Sequence, residues 1–387
     1  MSAQLRPSAF SMLRAVGSSS VIDIFQLLCI QGKRAHYGER FGLPANCFPV
    51  SIPAFPQSPR AERFHRFFQA YQPFTKTHAL RFKMLNFSYA NPTRLVFGRS
   101  AEHEVGRVMT SILGRPGKVL VLFGGGSAHR TGILGAVEDS LQESGFAVIE
   151  MGGVQPNPRM GFVRDTIDWV RDQGIRAVVA VGGGSVIDTA KAVAAGLEYE
   201  GDAWDFFAGR AQVERALPVF AVLTIPAAGS EQSIRAVITH HGTKTGIGSE
   251  HIRPKAAFIN PERFSTLPAI HISAGVCDML SHICERYFSN TAATDFVDGQ
   301  AEAALRTIIE FGPKVLADPS NYDAWCQIGL AGSFAHNGIF GLGREEDWAC
   351  HAIEHEISGW NESIIHGCGL AVVMPAWMQQ VCYVNPK

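Results

Sequence analysis

The 387-residue chain has no C-x-x-C pair, no long uninterrupted apolar run and almost no net charge. Its eight cysteines follow no regular spacing. That argues against a disulfide framework and suits reduced, mostly buried thiols of a cytoplasmic protein. The best membrane candidate, VIDIFQLLCI, is interrupted by Asp23 and Gln26 and falls well short of the roughly 18 residues needed to cross a bilayer. A formal net charge of −1 argues against a nucleic-acid surface. No internal repeat is visible. What remains is a soluble globular protein.

Charge is unevenly spread. Residues 1–83 hold 11 Lys and Arg against 3 Asp and Glu, and the remainder 23 against 32. Seven of the 20 prolines also lie in that first segment, where strong periodicity is absent. Its opening, MSAQLRPSAFSMLRAVGSSS, is Ser-rich and free of acids, in the manner of an organelle transit peptide. The preferred alternative is a start placed too early, with the working protein opening at Met84. Either way, residues 1–83 are expected to be a poorly ordered extension.

From Met84 onward strand and helix patterns alternate. MLNFSYANPTRLVFG reads as a strand segment, GKVLVLFGGGS as a strand running into a glycine loop, and ILGAVEDSLQESG as a helix. FAVIEMGGV, AVVAVGG, PVFAVLTIP, RAVITH and KAAFIN read as further strands, with helices at MGFVRDTIDWVRDQG and SVIDTAKAVAAG. Such alternation implies a mostly parallel sheet covered on both faces. Beyond about Pro261–Leu267 the patterns turn helical. The expected architecture is α/β plus all-α: a dinucleotide-binding domain at 84–262 and a helical domain at 263–387, meeting at a cleft.

Histidine is concentrated in the helical part. His351 and His355 stand four apart, so one helical face carries both, and His366 follows after the polar turn SGWNES. Asp278 and His282 repeat the four-residue spacing on another helix. One carboxylate and three imidazoles make a four-ligand set for zinc or ferrous iron; ordinary helix-end histidines are the alternative. Glu285 and Glu354, one turn from these residues, are expected to pair with Arg286 or face solvent. Arg344–Asp347 reads as a helix N-terminal charge cluster. Trp348, Trp360 and Trp377 read as core, and Cys277, Cys350 and Cys368 are expected to point away from any metal.

Glycine loops supply the second signal. Gly182, Gly183, Gly184 and Ser185 follow a strand and open the helix bearing Asp188. They suit a pyrophosphate lying on backbone N–H groups, though a tight turn needing φ > 0 would also use them. Thr224 and Ser230 flank a second loop of small residues. Gly124, Gly125, Gly126 and Ser127 end the first long strand after Met84, and no acid is present there to hold a ribose 2′-hydroxyl. With His129 and Arg130 just downstream, this favours NADP(H) over NAD(H).

Together GGGSVIDTAKAVAAG, LTIPAAGSE, AGVCDMLSHICERYF, GREEDWACHAIEHEIS and HGCGLAVVMPAWM, in this order, resemble the iron-containing (type III) alcohol dehydrogenase family. Within it the chain is most similar to the NADPH-dependent butanol dehydrogenase and aldehyde reductase branch, from Met84 to the C-terminus. The resemblance implies a dehydroquinate-synthase-like fold with a metal, Fe(2+) or Zn(2+), in the cleft between an N-terminal Rossmann-type domain and a C-terminal helical one. It implies Asp278, His282, His351 and His366 as metal ligands and His355 near the meeting point of nicotinamide and substrate, where it is the candidate proton relay or, equally, a residue orienting a ligand. It places cofactor phosphates on Gly182–Ser185, further contacts on Thr224, Ser230 and Lys255, and the 2′-phosphate on Gly124–Ser127. Three departures stand out: a turn before His366 one residue longer than usual, Ile234 and Arg235 in place of small or polar residues, and a chain ending at Lys387 where relatives continue. The implied activity is NADP(H)-dependent interconversion of small primary alcohols and aldehydes, and a homodimer is the expected assembly. The alternatives are an NAD-dependent glycerol or polyol dehydrogenase of the same fold, or a truncated, silent chain that binds nucleotide or metal.

Overall fold

A computed structural model describes residues 83–384 of the chain. The expectations for 1–83 therefore lie, Lys83 apart, outside the described residues. Eight strands occur among them: β1 (Arg94–Phe97), β2 (Lys118–Phe123), β3 (Ala147–Met151), β4 (Ile175–Gly182), β5 (Val219–Leu223), β6 (Arg235–His240), β7 (Thr243–Gly248) and β8 (Ala256–Ile259). Six form one parallel sheet in the order β1-β8-β5-β4-β2-β3. Its central strands are apolar on both sides because both faces are covered. Leu120 and Leu122 of β2 point into one core, and Val119, Val121 and Phe123 into the other.

Four helices serve the sheet: α1 (Val105–Leu113), α2 (Ile133–Glu143), α3 (Met160–Val170) and α4 (Gly184–Leu197). After β2 the chain passes to the face holding α1 and α2, whereas after the neighbouring β4 it passes to the face holding α3 and α4. The carboxyl ends of β2 and β4 thus diverge and open a crevice, the usual ligand position in such sheets. Five helices follow: α5 (Ala269–Tyr287), α6 (Asp295–Ala317), α7 (Tyr322–Phe334), α8 (Ala349–Trp360) and α9 (His366–Val384). Val186, Ile187, Met279, Leu280 and Met374 belong to one buried cluster, so sheet and helices share a continuous core.

Two local expectations change. The strand at 84–98 shrinks to β1, and β6 leaves the parallel sheet to pair antiparallel with β7. The sequence TKTGIG of β7, with two glycines and a lysine, carries no apolar strand signal. The hairpin forms because His241 (φ 47°) and Gly242 (φ 73°) supply the two left-handed residues of a tight turn whose twist suits paired strands.

Small residues set how close the helices come. A methyl group on Gly367, in the first turn of α9, would overlap the carbonyl oxygen of Ala274 in α5, and one on Gly275 would overlap that of Pro226. We expect Gly367→Ala to cost about 1–3 kcal/mol through forced separation of α5 and α9, read as a lower urea midpoint at unchanged slope. On the sheet's other face, burial and the facing carboxylate of Glu150 raise Glu138 to about 7. Between its ordinary carboxyl range and pH 7 the folded state therefore holds a proton that the unfolded chain has released, so this group loses stability as pH rises. Glu138→Gln should raise the thermal midpoint at pH 8, by a margin that shrinks as pH falls toward 5.

Candidate metal centre and nucleotide cleft

Helix α5 presents Asp278 and His282 on one face, α8 presents His351, and α9 opens with His366. Their atoms converge on Asp278 Oδ1, which lies 3.0 Å from His282 Nδ1, 3.7 Å from His351 Nε2 and 3.8 Å from His366 Nε2. His282 Nδ1 is also 2.9 Å from the Asp278 carbonyl oxygen. Burial pushes the Asp278 carboxyl up, but the His282 and His366 imidazoles outweigh it and hold the group well below the usual carboxylate range.

Each of two imidazoles is backed by a buried glutamate. Glu285 accepts from the backbone N–H of Cys350 at 2.7 Å and of His351 at 3.2 Å, and its other oxygen meets His351 Nδ1. Glu354 meets His366 Nδ1 in the same way. A carboxylate at Nδ1 keeps the proton there and leaves the Nε2 lone pair facing Asp278, the arrangement that orients metal-binding histidines. Glu285 outweighs burial and raises His351 to about 9, so an ion binding at Nε2 near neutral pH displaces a proton from it. The expected pairing of Glu285 and Glu354 with Arg286 or solvent is thus corrected. Spacing alone could not show it, because each glutamate reaches a histidine on a different helix.

The residues fit a divalent ion. Asp278 Oδ1 and His351 Nε2 are buried with no hydrogen-bond partner among the described residues. Asp278, His282 and His351 each bring a ligand atom within 4.8 Å of the others, and His351 Nε2 and His366 Nε2 stand 3.7 and 3.8 Å from Asp278 Oδ1, near the roughly 3.4 Å between neighbouring ligands of a tetrahedral ion. A second group, Glu354, His355 and His366, also gathers within metal-binding reach, but it shares His366 and engages its Nδ1 rather than Nε2.

The surroundings are aromatic and cationic. Trp348 stands edge-on to His282, His336 and His351 and beneath the Arg286 guanidinium at 4.4 Å. It lines the centre rather than a remote core. Trp360 is exposed, and Trp377 packs beside Phe288. Arg286 Nη2 donates to His336 Nδ1 at 2.7 Å. In the Arg344–Asp347 run only Asp347 serves the helix end, accepting from the N–H of Ala349 at the start of α8, whereas Arg344 pairs with Asp298 and Glu346 with Arg286. Cys277 and Cys350 are buried, and Cys350 Sγ contacts Met374 Sδ at 3.7 Å.

His355 is one turn beyond His351, its ring 5.4 Å from that of His366. Burial, then the nearby Lys244 ammonium, lowers it well below its ordinary value. Lys244, on β7, was not singled out in the sequence. Its Nζ lies 3.3 Å from Glu354 Oε2, 3.0 Å from Ser358 Oγ and 3.2 Å from His366 Nδ1. No local motif marks it, since the hairpin that carries it was itself hidden.

The crevice between β2 and β4 gathers Gly124–Ser127 and Gly182–Ser185, and Thr224 joins them through its N–H to the Gly182 carbonyl at 3.1 Å. A side chain at Gly183 would meet Ile225, and one at Gly182 would meet Val186, so the backbone there is bare by necessity. Lys255 does not join this set. It precedes β8, at the amino end of the parallel strands, and its N–H bonds the Val219 carbonyl at the start of β5. Asp188 and Ser230 bond each other at 2.6 Å instead of standing free. Glu285→Gln and Glu354→Gln should each lower metal affinity by about 10- to 100-fold, measured by competition with a chromophoric chelator.

The family model for iron-containing alcohol dehydrogenase matches residues 92–261, and that for the C-terminal part of the same family matches 272–387. A probable NADH-dependent butanol dehydrogenase of Bacillus subtilis is 41% identical over 305 residues, 78% of each chain. The NADPH-dependent aldehyde reductase YqhD of Escherichia coli is 37% identical over 298 residues, covering 76% of this chain and 75% of that protein. The crystal structure of NADH-dependent butanol dehydrogenase A from Thermotoga maritima superposes with a TM-score of 0.75 at 41% identity, over 79% of this chain and 76% of that one.

Proposed function

Because the chain belongs to the iron-containing alcohol dehydrogenase family, we propose that it interconverts small primary alcohols and aldehydes with NADP(H), using a ferrous or zinc ion held by Asp278, His282, His351 and His366. The observation that carries this reading is the convergence of three imidazoles on one buried carboxylate oxygen, two of them backed by glutamates. When bound, the ion supplies Lewis acidity at the substrate oxygen and the nicotinamide gives or takes hydride at the adjacent carbon.

The chain's own residues do the rest. One carboxylate and three neutral imidazoles leave a divalent ion with residual positive charge. Glu285 and Glu354 fix the ring orientations by holding the Nδ1 protons. His355, kept neutral near pH 7 by burial and Lys244, carries a nitrogen lone pair that accepts the alcohol proton, and in the reductive direction the same nitrogen, once protonated from solvent, returns it. Gly182–Ser185 at the start of α4 offer backbone N–H groups to the pyrophosphate.

The NADP(H) preference rests on the acid-free end of β2 and on Arg130, whose guanidinium lies against Gly126. Relatives named for NADH, at 38–41% identity, favour NADH as the second reading. The test is oxidation of NADPH and NADH with butanal by protein loaded anaerobically with Fe(2+) or Zn(2+). We expect turnover that Asp278→Ala abolishes, a higher kcat/KM with NADPH, and loss of that preference in Arg130→Ala. A higher kcat/KM with NADH would overturn the cofactor assignment, and metal uptake without turnover would favour a silent chain.

A further inference from the structure

Lys191 is fully buried in α4, where water cannot solvate its ammonium. It is saturated instead by the segment leading into the hairpin. Its Nζ donates to the Ser230 carbonyl at 2.7 Å, Ser230 Oγ at 2.9 Å, the Ser233 carbonyl at 2.9 Å and the Arg235 carbonyl at 2.7 Å. One turn earlier in the same helix, Asp188 accepts from Ser230 Oγ at 2.6 Å and from the Val237 N–H at 2.9 Å. Two oppositely charged side chains of α4, Lys191 buried and Asp188 half-buried, therefore hold both the loop after β5 and the first residues of β6. A methionine would fill the same space. Only a charged donor can collect several carbonyl oxygens and hold them in one geometry.

The hairpin so anchored reaches the metal-facing helices. Its turn packs where α8 carries Gly359, at which a Cβ would come within 2.8 Å of the Gly242 carbonyl oxygen. In β7, Lys244 pairs in register with Thr239 and lays its Nζ against Glu354, Ser358 and His366. One rigid path thus joins the helix opened by the phosphate-type loop to an imidazole aimed at Asp278.

We propose that Lys191 and Asp188 are positioning residues: by clamping residues 230–237 they set the hairpin so that Lys244 holds the Glu354–His366 pair in its metal-binding orientation. The proposal rests on the metal reading above and reassigns Asp188 and Ser230 from cofactor contact to this clamp.

The experiment measures Zn(2+) affinity of the full chain against a chromophoric chelator, with visible absorption of Co(2+) as a second readout. The variants are Lys244→Met, the paired Asp188→Asn/Lys191→Met that removes both clamp charges together, and all three substitutions combined. We expect Lys244→Met and the pair each to weaken Zn(2+) binding about tenfold and to alter the Co(2+) spectrum alike. The triple variant should be no weaker than Lys244→Met, since the clamp acts through that lysine. Unchanged affinity in the pair, or losses that multiply in the triple variant, would overturn the coupling while leaving the metal reading intact. Wild-type protein that takes up no Zn(2+) would overturn both. Should the pair not fold, hydrogen exchange on the wild type decides: Zn(2+) must slow exchange across 235–248 and around 188–191, and unchanged exchange there refutes the clamp.

Discussion

A carboxylate oxygen buried without a hydrogen-bond donor is costly to keep ionised, and Asp278 Oδ1 is such an atom. Burial opposes its charge, and only the imidazoles around it make that charge tolerable. Three helices must therefore bring their histidines to one point. Their packing shows how: Gly367 lets α9 pass close over α5, and the shared core beneath links the helices to the sheet.

The charges do not end at the first ring of residues. Glu285 and Glu354 are themselves buried, and each is stabilised by what it binds. Backbone N–H groups at the start of α8 hold Glu285, and Lys244 holds Glu354. Arg286, over the Trp348 ring, fixes the tautomer of His336, because a guanidinium has no lone pair and the Nδ1 facing it must be the acceptor. The centre is thus a stack of polarised pairs, each oriented by the next. Such networks hold their geometry when every member is satisfied.

Regular periodicity made much of the fold legible. Helices α2, α3, α4 and α5 and strands β2 to β5 fall where their apolar spacing places them, since burial of one face or both leaves a strong pattern. Elements held by other forces stayed hidden. β7 depends on a turn and a partner strand, and its side chains alternate Thr, Lys and Gly with little apolar content. Asp278, His282, His351 and His355 were visible because two pairs share the one-turn helical spacing. Lys244 lies more than 100 residues in sequence from Glu354 and has no spacing to read.

Several assignments needed distances. Lys255 matched a motif but stands at the amino end of its strand, away from the crevice at the carboxyl ends. Ser230 looked like a ligand donor and is instead shared between Asp188 and Lys191. By itself the sequence determined the layer architecture, the candidate ligand residues and the family, because these follow from composition, period and local spacing along the chain. Only the tertiary structure decided which glutamate backs which histidine and where the hairpin lysine points. Those choices depend on how separate elements cross, and no local pattern encodes a crossing.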